Sequence, residues 1–114
     1  MEKWIKNLVN KILKREKVKG KIDVSLVNDQ KIRELNRNFR KKDKPTNVLS
    51  FSYGPGEIIG DVVISKDTAK REAKRLGISY REEIKRLIIH GVLHILGYDH
   101  GKKMSYAEEV YQKF

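Results

Sequence analysis

The sequence predicts an α+β fold, a small mixed β-sheet with helices packed on it. Three observations carry that expectation. Helix signals (apolar spacing, caps and stops) recur in five segments, short runs rich in Val and Ile lie between them, and Gly, Pro and Asn mark the joints. At 114 residues the chain is expected to form one domain, 1–114, around a modest core.

Each element has its own signal. Over 2–17, Trp4, Ile5, Leu8, Val9, Ile12 and Leu13 share one face of a helix, with lysines opposite. In "KIDVSLVND", Ile22, Val24 and Leu26 alternate as in a strand and end in an Asn-Asp turn. Ile32, Leu35 and Phe39 return to helical spacing over 29–39, and Pro45 breaks the pattern. "NVLSFSY" and "EIIGDVVIS" flank "GPG" and predict a hairpin. A short helix over 67–76 is closed by Gly77. Ser79 with Glu82 forms a capping-box pattern for the next helix, and Ser105 with Glu108 repeats it for the last.

Composition narrows the function. With 26 Lys and Arg against 15 Asp and Glu, the net charge is +11. That excess favours a polyanionic partner, although a merely charge-rich surface would produce it too. No apolar run approaches the roughly 20 residues that span a bilayer. The opening segment, broken by lysines, is not expected to be a secretion signal. The absence of cysteine removes disulfides and thiolate sites and fits a reducing cytoplasm.

All three histidines lie in "HGVLHILGYDH". The helix that begins after Ser79 is apolar almost all round, so it is expected to be buried and central. His90 and His94, four residues apart, share one of its faces. Gly97 stops the helix, and the turn through Tyr98 and Asp99 can bring His100 back towards them. A single histidine on a buried helix is usually a hydrogen-bonded core residue. Three converging imidazoles with a position left open describe a catalytic zinc site. The spacing matches the zinc-protease signature H-E-x-x-H-x-x-G-x-x-H at His90, His94, Gly97 and His100, which predicts a zincin-like central helix carrying the metal ligands. The glutamate that serves those enzymes as general base is replaced by Gly91, which counts against a peptidase.

Taken with "NRNFRKKDKPTNVLSF" and "GDVVIS", the histidine run closely resembles the YbeY family of bacterial metal-dependent endoribonucleases, over roughly residues 30 to 100. The resemblance implies a compact α+β fold and one Zn²⁺ per chain on His90, His94 and His100. It implies that Arg40 lines the same cleft as a catalytic residue. It also implies cleavage of single-stranded RNA in small-subunit rRNA 3′-end maturation and ribosome quality control, with rRNA and the ribosome or its small subunit as partners. Neither membrane nor DNA is expected. Two features depart from the family pattern: Ser52 stands where many members have proline, and "GKKMSYAEEVYQKF" lacks the acidic cluster common in relatives.

Other residues have weaker claims. Asp99 is expected either to orient a ligand histidine or to cap its turn. Asp61 reads as structural, and Arg33, Arg37 and Lys44 as candidates for tracking an RNA backbone. Phe51 and Tyr53 are the candidate base-stacking aromatics, with core packing the expected role. Two alternatives to the nuclease stay open. One is a non-catalytic RNA- or ribosome-binding assembly factor with a structural metal. The other is a metal hydrolase of another class, such as a peptidase.

Overall fold

Strands Lys21–Val27 (β1), Val48–Ser52 (β2) and Ile58–Ser65 (β3) form one sheet in the order β1-β3-β2. The computed structural model describes residues 1–114. β1 runs parallel to β3 and β2 antiparallel to it, so the sheet is mixed, as predicted. The β2–β3 hairpin turns through "YGPGE", where Gly54 and Gly56 take positive φ.

Five helices complete the fold: Lys3–Arg15 (α1), Asp29–Arg40 (α2), Lys66–Leu76 (α3), Tyr80–Ile95 (α4) and Lys102–Gln112 (α5). Ile5, Leu8, Val9, Ile12 and Leu13 are the buried face of α1, the stripe read from the sequence. Trp4 sits at its rim under the Arg81 guanidinium, 4.5 Å from the ring centre. Side-chain oxygens of Asn28, Ser65 and Ser79 accept backbone N–H groups at the starts of α2, α3 and α4. Each such cap is worth about 1 kcal/mol.

The α2–α3 junction is tied by Asp29. Its carboxylate accepts from Ser65 Oγ at 2.5 Å, Thr68 Oγ1 at 2.7 Å and Arg71 Nη2 at 2.6 Å. Burial pushes its pKa up, but these hydrogen bonds and the Arg71 charge outweigh that and bring it down to about 2.

Two expectations need correction. α5 starts at Lys102, behind Gly101, so Ser105 and Glu108 lie inside the helix and form no capping box. Phe39, which follows the helical spacing of Ile32 and Leu35, is 66% exposed, its ring meeting that of Phe51 edge-on at 5.4 Å.

The core is two-sided. Helix α4 lies on β2 and β3, flanked by α1, α3 and α5, and its Ile84, Leu87, Ile88, Ile89, Val92 and Leu93 are buried. A smaller cluster of Ile32, Leu49 and Val63 sits under α2. The close approach of α4 to the sheet depends on two glycines. A Cβ on Gly91 would lie 2.7 Å from Val62 Cγ1 and 3.0 Å from Ser50 Oγ, and one on Gly60 would meet Phe51 O and Ile95 within 3 Å.

Candidate metal centre

The last two turns of α4 and the loop after it carry the histidines. His90 and His94 are one turn apart on α4, and positive φ at Gly97 and Gly101 folds the intervening loop back. The three rings meet with centroids 4.6, 5.6 and 5.0 Å apart. One ligand nitrogen from each ring lies within 4.8 Å of the others. His90 Nε2 and His94 Nε2 are 3.1 Å apart, while His90 Nδ1 faces Glu108 Oε2 at 3.3 Å. Burial, then the neighbouring His90 and His100, pushes the His94 pKa down. That shift favours the neutral form that binds metals. Ligand type, convergence and protonation all fit a divalent transition-metal ion.

The histidines form one wall of an open groove of about 420 Å³. The other wall is Arg40, Asn47, Val48, Ser50 and Ser52. Strand alternation explains that wall: Val48, Ser50 and Ser52 project towards α4, while Leu49 and Phe51 project towards α2. Ser50 Oγ donates to Gly91 O at 3.0 Å and Ser52 Oγ to Ile95 O at 3.5 Å, tying the strand to the histidine helix. Arg40, the last residue of α2, reaches round the edge strand and donates through Nη2 to Ser50 O at 3.4 Å. Its remaining N–H donors stay free for an anion in the groove.

Behind Asn47 lies a carboxyl pair. Asn47 Nδ2 donates to Glu72 at 3.2 and 3.3 Å, and the fully buried Glu83 takes a two-pronged contact from Arg86 at 2.7 and 2.8 Å. Burial raises the Glu72 pKa, and Glu83 raises it further. At Glu83 burial also pushes the pKa up, but hydrogen bonds from Arg86 and Glu72 together with the nearby guanidinium charges bring it down overall.

Most predicted site residues are therefore brought together: His90, His94, His100 and Arg40 share one groove. Asp99 is exposed, and the carboxylate that meets the His90 ring is Glu108, whose Ser-x-x-Glu pattern suggests a helix cap instead. Arg33 and Arg37 lie 2.8 and 3.9 Å from Asp43, so they brace the loop before Pro45. Phe51 is half-buried in the small cluster, as expected. Tyr53 is 56% exposed, against expectation, and donates its hydroxyl to Asp61.

Residues 1–113 match the family described as "Endoribonuclease YbeY". Relatives of that name include one from Aquifex aeolicus, 59% identical over 85 residues, and one from Persephonella marina, 44% identical over 117 residues. These alignments cover 71% and 96% of this chain and 57% and 76% of the relatives, so the chain spans between just over half and about three quarters of their length. A solution structure of a Thermotoga maritima protein superposes with a TM-score of 0.74 at 30% identity, covering 96% of this chain and 77% of that one. No helix is long and apolar enough to cross a membrane.

Proposed function

The chain belongs to the YbeY endoribonuclease family, and from that premise we propose that it is a metal-dependent endoribonuclease acting on single-stranded RNA. The observation that carries this reading is the placement of Arg40 opposite His90, His94 and His100 in one open groove. The substrate we assign is ribosomal RNA at the 3′ end of the small subunit, with the ribosome or its small subunit as partner, in the cytoplasm.

The three histidines would hold one Zn²⁺ per chain, an ion suited to imidazole nitrogen. Such an ion, when bound, supplies Lewis-acid stabilisation of a phosphoryl oxygen and lowers the pKa of water to about 7. The chain's own residues do the rest. Arg40 presents a planar, permanently charged fork that can grip two phosphate oxygens as their charge grows. The Ser50 carbonyl holds one nitrogen of that fork at 3.4 Å and so fixes its direction. Glu108 accepts at His90 Nδ1 and thereby directs Nε2 of that ring into the centre. Asn47, its amide nitrogen engaged by Glu72, keeps its carbonyl oxygen available to a donor on the substrate.

The alternatives fare worse on specific observations. Glu108 sits behind the His90 ring rather than among the three nitrogens, which opposes a closed structural site. At the position of the peptidase glutamate stands Gly91. Metal analysis paired with cleavage of a defined single-stranded RNA tests the reading. Cleavage should vanish on chelation and in His94→Ala, and should return to the parent protein with added Zn²⁺. Undiminished cleavage in metal-free His94→Ala would sink it.

A further inference from the structure

The two elements that complete the metal centre meet a single carboxylate from the far end of the chain. Glu16, the C-terminal cap of α1, accepts from Tyr98 Oη through Oε1 at 2.8 Å and from Tyr111 Oη through Oε2. These contacts bridge 82 and 95 positions of sequence. Tyr98 lies in the loop between His94 and His100. Tyr111 is buried on α5, the helix that carries Glu108.

We propose that Glu16 is a positioning residue for the metal centre, holding the His100 loop through Tyr98 and the Glu108 helix through Tyr111. The proposal rests on the reading of the three histidines as metal ligands.

The loop needs such a hold. Its near end is fixed by Gly97 N–H on His94 O and Tyr98 N–H on Leu93 O, at 3.1 and 3.0 Å. Beyond Tyr98, His100 is exposed and Gly101 adopts φ 147°, a freedom other residues lack. Backbone freedom there has to be surrendered when a ligand geometry is imposed on it. The phenol–carboxylate contact removes part of that freedom before metal arrives. A purely structural account is that Glu16 satisfies two phenols that would otherwise be buried without an acceptor. The two accounts differ in one respect. Tyr98→Phe removes a donor together with its need, so a structural role predicts no change in metal binding. A positioning role predicts weaker binding with the fold intact.

The test is Zn²⁺ affinity of the metal-free full chain, by competition with a chromophoric chelator, for Tyr98→Phe, Glu16→Gln and the double variant. His90→Ala serves as the reference for ligand loss. Loss of an orienting contact outside the ligands typically weakens metal binding 10- to 100-fold. Tyr98→Phe and Glu16→Gln are each expected to weaken Zn²⁺ binding about tenfold or more. The double variant should be no worse than the weaker single, and the melting temperature of metal-free Tyr98→Phe should stay near that of the parent. If Glu16→Gln fails to fold, Tyr98→Phe decides alone. Affinity within twofold of the parent in Tyr98→Phe, while His90→Ala abolishes binding, overturns the positioning role and leaves the metal reading standing. Parent-like Zn²⁺ binding in His90→Ala overturns both.

Discussion

His90 Nδ1 faces Glu108 Oε2 at 3.3 Å, across the ring from the nitrogen that points at His94. The carboxylate therefore selects the tautomer with hydrogen on Nδ1 and a free pair on Nε2. Glu108→Ala should weaken metal binding about 10- to 100-fold, measured by calorimetry, with Glu108→Gln milder because its amide oxygen still accepts. Equal affinities in all three proteins would remove Glu108 from the site.

Arg40 is separable from the lysines beside it. Arg40→Ala should lower the RNA cleavage rate on the order of 10²-fold, as loss of one preorganised charge-stabilising group does, with metal content unchanged. Arg40→Lys should recover little, since a point charge lacks the fork. Lys41→Ala and Lys42→Ala should cost a few-fold through binding. Equal losses in all three alanine variants would make the loop an undifferentiated basic patch.

The +11 charge makes binding salt-dependent if RNA is the partner. Affinity for a single-stranded oligonucleotide should fall with a log–log slope of about −0.7 per phosphate contacted. A slope near zero, by fluorescence anisotropy across a salt series, would show the charge to be incidental.

Asp29 sets an acid-side prediction. Its folded-state pKa of about 2 lies below the ordinary aspartate value, so its contribution is present above about pH 4 and is lost as pH falls towards 2. The contribution is on the order of 2 kcal/mol. Urea titrations at pH 5, 3 and 2 should show this loss in the parent chain, and a smaller one in Asp29→Asn.

The parts of this molecule legible in the sequence are those set by neighbours along the chain. The α1 stripe, the β2–β3 hairpin, the Ser79 cap and the one-turn spacing of His90 and His94 are local facts. The return of His100 was legible because a glycine stop and a short loop leave few directions. The Ser105–Glu108 pattern misleads because Ser-x-x-Glu marks helix starts only where the chain is not already helical, and α5 begins a turn earlier. Contacts such as Asn47 with Glu72 or Glu16 with Tyr98 join residues 25 and 82 positions apart, and no periodicity encodes them. Phe39 follows the helical period of α2 yet stays exposed, because period gives a face and only packing decides whether that face is covered.

The space above Gly91 limits what this helix can become. In the zinc-protease pattern the residue after the first histidine is a glutamate, and two base changes in a glycine codon at most separate the two. Here even a methyl group at that position would press into Val62 and Ser50. Acquiring the glutamate would mean lifting α4 off the sheet, breaking the Ser50–Gly91 contact and moving the groove wall that faces the histidines. The boundary between the two chemistries is thus steric before it is catalytic: a neighbouring point in sequence space lies across a rebuilt core.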